Sequence, residues 1–197
     1  MPVRASFTQI EFTKRLFRKT EIGLNWGKAM RILGIEISGN DAIVALLEEE
    51  QGMFYLPDIR ARKVQCRNPD SIEDLSYFQK SFAKLIEDYQ IDELVIRQRM
   101  KKGKFAGGAN GFKLEAAIQL ISGATVTLMS SATQSAILKR YPLSIPFNET
   151  GMKKFQQQAF EVAYAQLSDP KGLAEEARQR EIQKRKENRE AQALDDE

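Results

Sequence analysis

Histidine is absent from the 197 residues, and a single cysteine, Cys66, is present. The first absence removes every Ser-His and Cys-His nucleophile pair and every His-containing zinc site. The second removes an internal disulfide and an all-thiolate metal site, and it fits a reducing compartment. Cys66 itself reads as a small buried hydrophobe, because a reactive thiol needs an electropositive setting. No apolar stretch is long enough to cross a bilayer, and the basic N-terminus lacks the apolar segment of a secretory signal. These absences point to a cytoplasmic protein with no membrane partner. Any hydrolytic chemistry has to rest on carboxylates holding magnesium or manganese, hard cations that prefer oxygen.

A strong excess of one charge is also missing. The net charge is +3, and its distribution is uneven. Residues 1–29 carry six Lys/Arg against two acids, residues 30–170 seventeen of each, and residues 171–197 seven against eight. Whole-chain charge is therefore poor evidence for a nucleic-acid partner. Residues 1–29 have scattered apolar positions and no cap or hairpin signal. They read either as an extension, disordered, from an upstream start codon or as a functional basic arm. The Glu/Lys/Arg/Gln-rich tail, 171–197, reads as a solvated charged helix.

Between these ends the pattern is regular. Arg31–Ile37, Ala42–Leu47 and Met53–Leu56 are apolar runs joined by Ser38-Gly39-Asn40-Asp41 and Gln51-Gly52, which predicts a three-stranded antiparallel meander. Residues 57–71, with Pro57, Asn68 and Pro69, read as loop. Ser71 with Asp74 three positions on predicts a capped helix, carried by Leu75, Phe78, Phe82, Leu85, Ile86 and Tyr89 at helical spacing. Asp92–Gln98 reads as an inner parallel strand, 100–111 as a Gly- and Lys-rich loop, Phe112–Ser122 as a helix, and Thr125–Met129 as a strand. Helices follow from Ser131 or Ala132 to Lys139 and from Thr150 or Gly151 to about Leu167. The order predicts an α/β domain over 30–170: a mixed five-stranded sheet, antiparallel meander plus parallel strands, flanked by helices. That is the topology of the RNase H-like superfamily.

Particular stretches sharpen this. RILGIEISGN (31–40), LVIRQ (94–98), FKLEAAIQL (112–120) and SATQ (131–134) resemble the first strand, the fourth strand, the following helix and the next turn of RuvC-type Holliday-junction resolvases. GNDA (39–42), FQKSFAKL (78–85), KGKFAGGANGFKLEAAIQLI (102–121) and ETGMKKFQQQAFEVAY (149–164) resemble an uncharacterised bacterial domain family placed in that superfamily. The resemblance implies the fold and brings no activity with it.

For chemistry, the resemblance implies an acid on the first strand, one on the fourth, and more near the last helix, together holding one or two divalent ions. Glu36 fills the first place and is the candidate metal ligand; Glu149 and Glu161 are the candidate catalytic acids near the last helix. The fourth strand reads Ile96-Arg97-Gln98-Arg99 and contains no acid. The residues that follow suggest another use. Arg97, Arg99, Lys101, Lys102, Lys104 and Lys113 crowd one Gly-rich loop with Phe105 among them. Glycines let backbone approach phosphates, Lys/Arg neutralise them, and an aromatic ring stacks on a base. The loop lacks Gly-Lys-Ser/Thr and is not a Walker A loop. The leading expectation is thus DNA or RNA binding without strong nuclease activity. The rivals are a magnesium- or manganese-dependent nuclease using Glu36, and a structural or protein-interaction module.

Overall fold

The computed structural model describes residues 29–103 and 106–169. The basic arm, the charged tail, Lys104 and Phe105 lie outside the described residues. The order of elements is β1 (Met30–Ser38), β2 (Asp41–Glu50), β3 (Met53–Tyr55), β4 (Lys63–Gln65), α1 (Ile72–Tyr89), β5 (Glu93–Arg97), α2 (Ala109–Gln119), β6 (Thr125–Met129), α3 (Ser131–Arg140) and α4 (Gln157–Ser168). One sheet joins all the strands, in the order β3-β2-β1-β5-β6, with β4 also paired to β2. β1, β2 and β3 form the expected antiparallel meander, and β1, β5 and β6 run parallel. The architecture is that of the RNase H-like fold.

The sheet has one strand more than the five expected. β4 is three residues long and contributes one inward side chain, Val64, between exposed Lys63 and Gln65. A single apolar residue in a charged stretch carries no period, so β2 rather than local pattern defines this strand.

Alternation along the strands divides the core. Leu33, Ile35 and Ile37 of β1 and Leu94 and Ile96 of β5 face α1 and α2, packing on Phe78, Phe82, Leu114 and Ile118. Each of these side chains contributes roughly 1.5–3 kcal/mol by leaving water. Cys66, 1% exposed, belongs to this layer as expected, and burial pushes its thiol up. α1 begins where Ser71 accepts a hydrogen bond from the Asp74 backbone N–H at 3.2 Å, the cap the sequence predicts. The opposite face carries Ile32, Val95 and Met129 against Ala159, Val162 and Ala163 of α4 and Ile137 of α3.

Gly34 sets how close α4 comes. A Cβ there would fall inside contact distance of the Ala159 carbonyl oxygen and within 2.8 Å of the Ala163 Cβ. Helix and strand backbones therefore touch with only small residues between them, and α4 lies across β1, β2 and β5. That close seat brings Glu161, on the first half of α4, to the C-terminal end of β1, where Glu36 stands.

Candidate functional site

Ile35 of β1 pairs with Ile96 of β5 in parallel register, so Glu36 and Arg97 are the next neighbours along the two strands. Both point to the α4 face, at the carboxyl ends of adjacent parallel strands, where open α/β sheets place their ligand sites. The Arg97 Nη1 lies 3.4 Å from the Glu36 Oε1, and the two side chains are 33% and 22% exposed. Burial pushes the Glu36 carboxyl above its ordinary value, Arg97 and then Arg99 pull it back, and Glu161 pushes it up again. Glu36 and Glu161 are thus close enough to feel each other.

Glu161 is occupied by amides. Gln157 donates to its Oε1 at 2.7 Å, and Gln158 and Gln134 donate to its Oε2 at 3.2 and 3.3 Å. Gln157 and Gln158 stand four and three residues before Glu161, a helical spacing that was available in the sequence. Glu149 is placed differently. It lies exposed on the short 3₁₀ turn Phe147–Glu149, and it is not among the charges that shift Glu36. Gln98 donates its backbone N–H to the Met129 carbonyl at 2.8 Å, tying β5 to β6 just beyond the site.

The carboxylates do not fit a divalent ion. Such an ion needs several hard oxygen ligands converging on one point. Here the side of Glu36 that faces β5 meets a guanidinium, and both Glu161 oxygens accept from Gln side chains. Among the described residues no group of three His, Cys, Asp or Glu is arranged to hold a metal.

The basic loop has two kinds of cation. Arg99 turns inward: its Nη1 donates to the Ile37 carbonyl and its backbone N–H to Glu115 Oε2 at 3.4 Å. Gly107 and Gly111 lie directly against it, since a Cβ at either would come within 2.5 or 2.6 Å of the Arg99 Nε. Arg99 therefore holds the loop to the end of β1 as well as carrying charge. Glu115 faces it; burial pushes that carboxyl up, and the Arg99 N–H, the Arg99 guanidinium and Lys101 pull it down. α2 begins at Ala109, earlier than Phe112, with Gly108 as its extended N-cap, and Gly111 is a helical residue whose missing side chain leaves room for the arginine. Lys101 and Lys102 are exposed. Lys113, on α2, is paired with Asp70 and remains 45% exposed. The Asn110 amide donates to the Asn40 Oδ1 at 3.1 Å, joining α2 to the β1–β2 turn.

Residues 30–166 match a family described as a protein of unknown function, DUF3010. The chain belongs to the DUF3010 family. Among solved structures, this DUF3010 chain is similar to Thermus thermophilus RuvC, with a TM-score of 0.57 and 9% identity over 72% of this chain and 95% of that one. RuvC from the same organism in complex with Holliday junction substrate gives a TM-score of 0.52 and 8% identity, covering 72% and 94%. At these identities the likeness shows the RNase H-like fold alone. No match was found among curated protein sequences. Among the described residues, no helix is long and apolar enough to cross a membrane.

A second polar cluster gives no warning in the sequence. Glu93, 6% exposed at the start of β5, accepts from the Thr127 hydroxyl at 2.6 Å and from the Gln166 amide at 3.1 Å. Burial pushes its carboxyl up, while Thr127 and Gln166 pull it down. It lies at the opposite end of β5 from Arg97. An acid beginning a short apolar strand carries no sign of being inside.

Proposed function

We propose that this domain, residues 30–170, binds nucleic acid through the loop Arg97–Lys113 and does not cut it. The observation that carries the reading is the Arg97 guanidinium set 3.4 Å from Glu36. A fixed organic cation at this position balances the acid without offering a Lewis-acidic centre or an activated water. Binding would fall to the exposed Lys101 and Lys102, with Lys104 and Phe105 following in sequence and Lys113 at the edge. Arg99 and the glycines packed on it give that loop a fixed base. A RuvC of the same fold has been captured with a Holliday junction, which supports nucleic acid as the class of ligand. We take the protein to be bacterial and cytoplasmic; its single, buried cysteine fits a reducing compartment.

Fluorescence anisotropy with labelled Holliday junction, duplex and single-stranded DNA and RNA tests this. The variant Lys101→Glu/Lys102→Glu/Lys104→Glu is expected to bind at least about tenfold more weakly. Its log-log salt dependence is expected to flatten by roughly 0.9 for each duplex phosphate that is no longer neutralised. Binding that is equally weak in the native protein and the variant would overturn the proposal.

A further inference from the structure

The β4 strand is the outer edge of the sheet beside β2, and its register shows which of its backbone groups face outward. The Val44 N–H donates to the Arg62 carbonyl at 3.0 Å, and the Cys66 N–H donates to the Asn40 carbonyl at 2.9 Å. In an antiparallel ladder such bonded pairs recur every second residue, so Arg62, Val64 and Cys66 turn their backbones toward β2. Lys63 and Gln65, which lie between them, turn their N–H and C=O groups away. No other described strand pairs with β4 on that side.

A groove of about 830 Å³ runs along this edge, with α1 as its other wall. Arg60, Lys63 and Arg67 line it from the β4 side and Lys80 and Lys84 from α1, with Asp74 the acid among the described lining residues. Arg60 and Lys84 are partly neutralised by Asp88, and Lys63 by Asp41 at 2.8 Å. Arg67 and Lys80 have no acidic partner among the described residues and are exposed. Tyr77, 70% exposed, presents its ring at the same wall.

The geometry points to β4 as a docking edge for an extended acidic peptide, which adds a strand beside it and lays its carboxylates against the groove cations. The free backbone groups favour a peptide over a phosphodiester strand. An extended chain presents donors and acceptors at the two-residue period that Lys63 and Gln65 offer, and a nucleic-acid backbone carries no donors of that kind. The cations then select acidic side chains, and Tyr77 gives a β-branched neighbour an apolar surface. This surface is separate from the loop at Lys101 and Lys102, so it stands or falls independently of nucleic-acid binding.

The test uses the full chain and a fluorescein-labelled peptide of alternating Glu and Thr, read by anisotropy. Gln65→Pro removes one outward N–H and leaves the inward bonds of Arg62, Val64 and Cys66, a substitution that edge strands tolerate. It is expected to weaken peptide binding about tenfold, as is Arg67→Glu/Lys80→Glu. The same peptide N-methylated at every residue, so that neither of its edges can donate, is expected not to bind the native chain, which keeps the test decisive even where the proline variant melts early. Lys101→Glu/Lys102→Glu is expected to leave peptide binding unchanged. No binding by the native chain, or equal binding of the N-methylated peptide, would overturn the proposal. So would a result in which Arg67→Glu/Lys80→Glu abolishes binding of a labelled oligodeoxythymidine while the peptide is unaffected; the groove would then belong to nucleic acid.

Discussion

The Arg97 guanidinium and the Glu36 carboxylate face each other at 3.4 Å across two parallel strands, both only partly exposed. A half-buried acid of this kind is costly to leave alone, and burial pushes the Glu36 carboxyl up despite its neighbour. Arg97→Ala is therefore expected to lower stability by about 1–2 kcal/mol at pH 8. The loss is expected to be smaller at pH 5 than at pH 8, because a carboxyl whose value burial raises holds its proton more of the time at the lower pH and then needs no cation. Chemical denaturation at the two pH values, with Glu36→Gln and the double variant completing a cycle, measures the coupling. An equal loss at both pH values would contradict the pairing.

Glu93 gives a second pH signature, and its sign is the reverse of the common carboxylate case. Its folded pKa is raised above 4.5, chiefly by burial, so the folded state holds the proton more tightly than the unfolded chain. The associated stability is fully present below the unfolded value and is lost as pH rises through the folded one. Glu93→Gln keeps the acceptor that Thr127 and Gln166 both use. It is expected to raise stability at pH 7 by about 1 kcal/mol and to flatten the pH dependence above 4.5. Melting temperatures across that range decide it, and a destabilised variant with unchanged slope would refute it.

Gly34→Ala tests the seat of α4. The added Cβ meets the Ala159 carbonyl and the Ala163 side chain, neither of which can move without shifting the helix. The expected cost is about 3 kcal/mol, read by denaturant unfolding. A change under about 0.5 kcal/mol would mean that α4 gives way easily and does not fix Glu161 near Glu36.

Much of this arrangement is legible in the sequence and part is not. The strands β1, β2, β5 and β6 announce themselves because buried strands need continuous or alternating apolar residues, and α1 because Ser71 caps a clear helical period. β4 is hidden, as one inward residue makes no pattern. The acid-free stretch Ile96–Arg99 is visible as a gap, but its meaning requires the β1–β5 register, which sets Arg97 beside Glu36. Arg99 looks like one more loop cation. Its inward turn depends on Gly107 and Gly111 closing around it, a contact between residues whose spacing carries no periodic signal.

The two roles in the basic loop separate experimentally. Arg99→Ala removes the donor to the Ile37 carbonyl and the guanidinium charge beside Glu115, while the backbone N–H bond to Glu115 stays, so it is expected to lower stability by about 2 kcal/mol. Lys101→Glu/Lys102→Glu changes exposed positions and is expected to alter stability by less than about 0.5 kcal/mol. Thermal melts of both, beside binding titrations, check this. Equal effects on stability would erase the distinction between the loop's anchor and its exposed charges.

The central claim, binding without cutting, is tested most directly by incubating the full chain with a labelled Holliday junction in magnesium or manganese and running native and denaturing gels together. The expected result is a shifted band on the native gel that Lys101→Glu/Lys102→Glu/Lys104→Glu weakens, with the junction strands intact on the denaturing gel. Cleavage by the native chain that disappears in Glu36→Gln would contradict the account.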